Sequence, residues 1–149
     1  MPYWRLYYHI TWATKNRYPF LTPEIEPLVY PLLIAKAREL GAVVYAINGV
    51  VDHIHIAAAV PPRIALSEWV QQLKGSSSRV INLNAEEFVL KWQPGYGIVS
   101  LGQKNLQTVV NYILRQKEHH ARHTLIPFLE AEEDNANGPI ENTPNLDKR

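Results

Sequence analysis

The alternation of apolar and polar positions along the chain predicts a mixture of strands and helices. Residues 3–14 alternate with a period of two and are rich in aromatic and β-branched side chains, which is typical of a strand. Residues 42–48 and 53–60 predict two more strands, joined by a short connection that contains Asn48-Gly49. Two short strand-like pieces, 86–93 and 95–102, follow around Pro94-Gly95.

Three segments show the spacing of an amphipathic helix. In the first, Thr22 is expected to cap the helix, with Pro23 at its first position and Gly41 at its end. Pro27 and Pro31 lie inside it, and Pro31 is expected to bend it because proline removes a backbone hydrogen bond. Residues 66–83 and 105–120 predict the second and third helices.

The order of these elements predicts an α+β protein. The first six match the ferredoxin-like split βαβ pattern, in which helices cover one face of an antiparallel sheet, and a further helix follows toward the C-terminus. The other face of the sheet, or an edge, is expected to be free for a ligand. Residues 1–129 are therefore expected to form the domain, and 130–149, which are polar and aperiodic, an acidic flexible tail.

Composition and charge narrow the possible partners. A chain of 149 residues fits one domain, and its lack of cysteine excludes disulfides and thiolate metal sites. It has no apolar run near the roughly 20 residues of a membrane span, so we expect a soluble cytoplasmic protein. The net charge is +1, but residues 130–149 hold six acids and two bases, which leaves +5 on the rest. That surplus suits a polyanionic partner, or simply a solvated surface of mixed charge.

The stretch DHIH at residues 52–55 is the first candidate site. Side chains alternate across a strand, so His53 and His55 share a face, about 6.6–6.8 Å apart along the chain. Two imidazoles at that spacing can converge on one divalent cation, and the small Ala57 and Ala59 leave room beside them. Alternatively, neighbouring side chains satisfy both rings. Asp52 either orients a ligating imidazole or closes the turn before the strand.

The predicted third helix supplies a partner for the histidine pair. Tyr112 and Gln116 are four residues apart and so share a face of that helix, although a tyrosine at the margin of an apolar stripe is commonly a packing residue. With these residues, the chain resembles the single-tyrosine HUH transposases, which include the transposases of the smallest insertion sequences and the REP-associated tyrosine transposases. Five blocks fall in the order and spacing of that family: HITWATKNRYPFL (9–21), VVDHIHIAAAVPP (50–62), QLKGSSSRV (72–80), KWQPGYGIVSLG (91–102) and VVNYILRQKEHH (109–120).

The resemblance implies a metal-dependent enzyme that nicks and rejoins single-stranded DNA containing a hairpin. Tyr112 would attack a phosphodiester and form a 5′-phosphotyrosine, and His53, His55 and Gln116 would hold Mg²⁺ or Mn²⁺. A tyrosine hydroxyl has an ordinary pKa near 10, so it needs activation. His9, His119 and His120 are candidates for the base; for the last two, the alternatives are solvent-exposed or helix-end roles.

Cations and hydroxyls elsewhere suggest contacts to the DNA backbone. The expected DNA-binding residues are Lys74, Ser76, Ser77, Arg79, Lys15 and Arg17. For the segment 74–79, the alternative is a solvated helix face. Trp92 and Tyr96 could stack on bases, with core burial as the alternative for Trp92.

Other protein classes fit the sequence less well. A cupin also uses His-x-His on a strand, but it needs an all-β barrel, and two-histidine phosphoesterases need two separated His-x-Thr/Ser motifs, which this chain lacks. The remaining alternative is a domesticated, non-catalytic protein that binds single-stranded or hairpin DNA on the same fold. The resemblance is also compatible with a homodimer or with a monomer.

Overall fold

Four strands form one antiparallel sheet. The computed structural model describes residues 2–83, 85 and 89–131, and its strands are β1 (Tyr7–Ala13), β2 (Val43–Val50), β3 (His53–Ala59) and β4 (Gly97–Leu101). Their spatial order is β2-β3-β1-β4, and every neighbouring pair is antiparallel. This is the order expected of a ferredoxin-like split βαβ fold. The predicted α+β class and sheet are therefore confirmed.

Five helices accompany the sheet: α1 (Glu26–Glu39), α2 (Leu66–Leu83), α3 (Gln103–Leu114), α4 (Gln116–Arg122) and α5 (Pro127–Glu130). The limits of α2 agree with the predicted ones. Helix α1 begins later than expected, because the hydroxyl of Thr22 accepts the N–H of Ile25 in a turn that precedes the helix. Pro31 lies inside α1, which still runs to Glu39, with Val29, Leu33 and Ala37 buried along one side.

One face of the sheet carries the main core. Ile10 and Trp12 of β1 and Ile54 and Ile56 of β3 are all buried there, together with residues of α1 and α2. They occupy alternate positions, so the period of two places every one of them on the same side. The complementary positions of β3, His53 and His55, necessarily lie on the other side.

The histidine face is covered, contrary to the expectation that it is free for a ligand. Ala57 packs there with Val109, Tyr112 and Ile113 of α3 and with Leu129 of α5. His55 is fully buried and His53 is 3% exposed. The space that the small Ala57 leaves is therefore filled by the tyrosine helix of the same chain.

The connection between β2 and β3 also differs from the prediction. Asn48 and Gly49 lie inside β2, opposite His55 and Ile54, and the turn is at Val51-Asp52. Further up β2, the register shifts between Val44 and Ala46, so Tyr45 is an extra residue, as in a β-bulge. This shift sets which side chains of β2 face the histidines.

The predicted strand over 86–93 is not formed by the part of it that the structure describes. Trp92 makes only an isolated bridge with Thr14, and residues 86–88 are not described. The next predicted piece contains β4. No helix in the described part of the chain is long and apolar enough to cross a membrane.

Candidate metal and tyrosine site

Strand β3 presents His53 and His55 side by side, and each ring is held by a second residue. Nδ1 of His53 lies 2.8 Å from Oδ1 of Asp52, and a carboxylate oxygen only accepts, so Nδ1 carries the hydrogen. Nδ1 of His55 lies 2.8 Å from Nε2 of His9 on β1, and His9 is buried too. Both Nε2 atoms are thereby directed to the same side. Such bracing of the far nitrogen is typical of metal-binding histidines.

A break in the third predicted helix places the other residues. The segment expected to be one helix over 105–120 is interrupted at Arg115, which leaves the helical backbone region at φ −100° and ψ 19°. Tyr112 ends up in the last turn of α3 and is buried, with its ring centroid 6.2 Å from that of His55. Gln116 and His120 lie one turn apart in α4, and Gln116 is fully buried. One chain thus brings together the tyrosine, the histidine pair and the glutamine that the sequence singled out.

Asn48 of β2 fixes this break from the side. Its Nδ2 donates to the carbonyl of Leu114 over 3.1 Å, and its Oδ1 accepts from Nζ of Lys117 over 2.8 Å. These two bonds reach the last residue of α3 and the second residue of α4. They tie both helices to the strand beside His55.

Two residues that were not among the predicted ligands enter the same site. Nε2 of His120 lies 3.1 Å from Nε2 of His53 and 2.9 Å from Oε1 of Gln116. Glu130, which the sequence assigns to the tail, lies instead at the end of α5, with its Oε1 3.0 Å from Nε2 of His120. Its Oε2 lies 2.9 Å from Nε2 of His55. Residues 132–149 of the predicted tail lie outside the described residues.

The protonation of the site follows from burial and from these neighbours. Burial, with some help from His55, lowers the pKa of His9 to about 3, and burial also lowers the pKa of His55. Burial acts in the same direction on His53, but Glu130 and Asp52 outweigh it and raise the pKa of His53 above its ordinary value. Burial disfavours the charged form of Glu130 as well, yet the adjacent imidazoles hold its pKa well below the usual range. The carboxylate is therefore ionised.

The donor atoms fit a metal ion. One atom from each of His53, His55, His120 and Glu130 lies within 4.8 Å of the corresponding atoms of the other three. Nε2 of His55, Nε2 of Gln116 and Oε2 of Glu130 are buried without a hydrogen-bond partner among the described residues. Although His55 and Glu130 approach to 2.9 Å, their orientation does not make a hydrogen bond. The lone pairs of His55 and Glu130, which are buried and converge without bonding to one another, are what a cation-binding site requires.

The hydroxyl of Tyr112 accepts the backbone N–H of Ile126 over 3.1 Å, and its ring stacks on His119 with centroids 4.5 Å apart. Burial raises the pKa of Tyr112, so the protein alone does not favour the phenolate. Of the predicted bases, His9 is bonded to His55 and His120 lies among the donor atoms. His119 is the one that contacts the tyrosine ring.

Comparison with known proteins shows the family to which the chain belongs. The family model described as “Transposase IS200 like” matches residues 2–116, more than three quarters of the chain. The chain belongs to the IS200-like transposase family. The ISDra2 transposase TnpA of Deinococcus radiodurans is 26% identical over 121 residues, which span 77% of this chain and 86% of that protein.

This chain also shares its fold with solved structures of transposases. A candidate transposase from Deinococcus radiodurans superposes with a TM-score of 0.61 at 24% identity, covering 78% of this chain and 95% of that one. A REP-associated tyrosine transposase bound to a REP hairpin superposes with a TM-score of 0.60 at 17% identity, covering 85% of this transposase and 77% of that chain.

The six residues of this transposase that were predicted to bind DNA do not form one surface. Arg17 lies beside the metal site, with Nη1 3.6 Å from Oδ1 of Asp52. Lys15 and Lys74 line a cleft of about 570 Å³ with Trp92 and Tyr96. Ser76 and Arg79 line a second groove across α2, which borders that cleft at Ser67, Gln71 and Gly75.

Two members of that set are engaged in the fold. Nζ of Lys74 donates to the carbonyls of Gln93 and Gly95, over 2.8 and 2.6 Å, and so holds the loop that precedes β4. Ser77 is fully buried, donates to the carbonyl of Leu73 and accepts the indole N–H of Trp92 over 2.9 Å. The predicted DNA contact by Ser77 does not fit this position, because its hydroxyl faces the protein interior.

Sequence reasoning did not place His120 or Glu130 among the donor atoms of this site. His120 had a weak signal, because it follows Gln116 by four residues and so shares its face of a helix. Glu130 had none, since it stands among acidic residues of a segment without periodicity. Only the burial of Leu129 beside α3 brings it to the histidines.

Proposed function

We propose that this IS200-like transposase cuts and rejoins single-stranded DNA through a covalent bond to Tyr112. The observation that carries the proposal is that one chain places Tyr112 in ring contact with His55, three residues before the break at Arg115 that directs Gln116 into the same site. A nucleophile beside a cluster of metal-binding donors is the arrangement that phosphodiester transfer needs.

In the proposed reaction, the hydroxyl oxygen of Tyr112 forms a bond to phosphorus while the bond from phosphorus to the 3′-oxygen breaks. The phenol loses its proton and the departing strand gains one, so the products are a 5′-phosphotyrosine and a 3′-hydroxyl. Attack by a 3′-hydroxyl reverses the step and releases the tyrosine, without an external source of energy.

His53, His55 and Gln116 are the proposed ligands of Mg²⁺ or Mn²⁺, an assignment supported by the unpaired buried Nε2 of His55 and by the position of Oε1 of Gln116, 2.9 Å from Nε2 of His120. When bound, the cation polarises a phosphate oxygen on which negative charge grows. Asp52 and His9 hold the two imidazoles from behind, and the stacked ring of His119 orients the tyrosine.

Hairpin-containing single-stranded DNA is the proposed substrate, because the REP-associated tyrosine transposase of similar fold is bound to a REP hairpin. Arg17 lies at the site and Lys15 in the cleft. Both are proposed to contact the phosphates of the DNA backbone as it passes the end of β1. A homodimer stays a prediction, and the reaction does not need one, since a single chain supplies tyrosine and histidines.

The test is to incubate the full chain with 5′- and 3′-labelled hairpin DNA and Mn²⁺ and to run a denaturing gel. We expect a protein–DNA adduct that carries the 3′ label, because Tyr112 is joined to the 5′-phosphate of the downstream fragment, and we expect none in Tyr112→Phe. The matched control is Tyr96→Phe, a change of the same kind at a tyrosine that lines the cleft, and this variant should still form the adduct. A native-gel shift with no adduct in Mn²⁺ or Mg²⁺ would instead establish the non-catalytic DNA-binding alternative.

A further inference from the structure

We propose that His120 and Glu130 join His53 and His55 as direct ligands of one divalent first-row transition-metal ion, which the site binds in preference to Mg²⁺. Neither residue was predicted as a metal ligand, and both lie beyond residue 116, where the match to the family model ends. The inference deepens the proposed function, since it concerns the metal of that same site.

The separations between the donor atoms support this set. Neighbouring ligands of a metal with bonds near 2.05 Å lie about 2.9 Å from one another in an octahedral site and about 3.3 Å in a tetrahedral one, and an octahedral site also has room for Gln116 and a phosphate oxygen. Nε2 of His120 lies 3.1 Å from Nε2 of His53 and 3.0 Å from Oε1 of Glu130. The carboxylate is also 3.5 Å from Nε2 of His53 and 2.9 Å from Nε2 of His55. These four distances scatter around the values that a shared ion imposes.

Hydrogen bonding alone does not account for the position of His120. Its Nε2 is surrounded by three atoms: Nε2 of His53, Oε1 of Gln116 and Oε1 of Glu130. In the neutral ring of His53, which is the form that binds a metal, Nδ1 donates to Asp52 and Nε2 has only a lone pair to offer. The single hydrogen that Nε2 of His120 carries cannot serve three acceptors. A cation satisfies the lone pairs of all of them.

The fold holds both residues firmly enough to act as ligands. Gln116 and His120 are one turn apart in α4, whose start is tied to Asn48 through Lys117. Glu130 follows Leu129, which is 2% exposed and packed beside α3. The ligands thus come from a strand, a helix and a short helix that are each anchored by burial or by hydrogen bonds.

The donor set explains the expected preference among metals. Three imidazole nitrogens suit first-row transition metals, whereas Mg²⁺ takes oxygen ligands and keeps its waters. The ionised carboxylate of Glu130 contributes the negative charge that balances part of the cation. With Gln116 alone in addition to His53 and His55, the set would be less rich in nitrogen and would carry no charge.

The test is isothermal titration of the metal-stripped full chain with Mn²⁺ and with Mg²⁺, in the absence of DNA. We expect Mn²⁺ to bind at least 100-fold more tightly than Mg²⁺. His120→Asn and Glu130→Gln should each weaken Mn²⁺ binding at least tenfold. The matched controls are His123→Asn and Glu118→Gln, exposed residues of the same region that should bind as the wild type does.

Pulsed electron paramagnetic resonance of bound Mn²⁺ gives a second readout that is independent of affinity. With ¹⁵N-labelled histidine, three imidazole couplings are expected in the wild type and two in His120→Asn. Wild-type affinity in both site variants, or two couplings in the wild type, would overturn the proposal. Because no DNA is present, a transposase that forms no adduct would leave these results unchanged, so the two proposals fail separately.

Discussion

At the scale of single residues, side chains with the same chemistry have different roles because burial differs. Ser76, Ser77 and Ser78 follow one another in α2, yet only Ser77 is fully buried. The sequence indicates hydroxyls suited to phosphate, and residue type alone does not reveal which of them faces inward. The hydrogen bond from Trp92 makes Ser77 a structural residue.

Ser77→Ala is therefore expected to lower stability rather than DNA affinity. It leaves the indole N–H of Trp92 without its acceptor, at a cost of about 1–2 kcal/mol in the free energy of unfolding. Urea denaturation measures that loss. Ser78→Ala, whose hydroxyl bonds only to carbonyls of its own helix, is the control and should change stability little. A Ser77→Ala variant of wild-type stability and weakened DNA binding would contradict this assignment.

At the scale of elements, the sequence predicts best those segments whose periodicity is strong and local. Helix α2 has its predicted limits, and β3 begins at its predicted residue, His53. The break at Arg115 was missed because the apolar spacing continues through it, and tertiary bonds from Asn48 and Lys117 fix it. The connection before β3 was misplaced because Asn48-Gly49, a common turn pair, is here part of a strand.

Gly49 tests that last correction. A Cβ at this position would collide with the carbonyl oxygen of His53 and lie 2.9 Å from Cα of Ile54. Gly49→Ala should therefore push β2 from β3 and lower the free energy of unfolding by about 1–3 kcal/mol. Gly75→Ala is the matched control, since its Cβ meets nothing within 4 Å and alanine favours a helix by roughly 0.5–1 kcal/mol. Equal melting temperatures for the two variants would argue against the strand assignment.

At the scale of the whole molecule, charge is unevenly divided along the chain. Residues 132–149 hold five acids and two bases, a net charge of −3, so residues 1–131 carry a net charge of +4 and the whole chain +1. The sequence predicted the fold and the residues Tyr112, His53, His55 and Gln116 that meet in it. It could not predict that the second face of the sheet is covered, because that depends on Leu129 and α3 packing across the histidines.

Removal of residues 132–149 is expected to strengthen DNA binding at low salt. Deleting a net charge of −3 reduces repulsion of the phosphates, and the gain should vanish near 1 M salt, where charges are screened beyond about 3 Å. Fluorescence anisotropy with a labelled hairpin at several salt concentrations measures this. A full-length variant with the five acids changed to amides is the control, and it should reproduce the gain. A gain in the truncated chain alone would mean that charge is not the cause.

The β-bulge at Tyr45 has a genetic consequence. With this extra residue, Ala46 is opposite Ala57 and Asn48 opposite His55, where Asn48 can hold the junction of α3 and α4. An in-frame loss of the Tyr45 codon would leave Val44 opposite Ala58 and Ala46 opposite Ala57 in a regular ladder, so both would keep their sides of the sheet. Point changes at Tyr45 alter a half-exposed ring. The codon can therefore vary in what it encodes, or be lost, without turning Asn48 away from the histidine side.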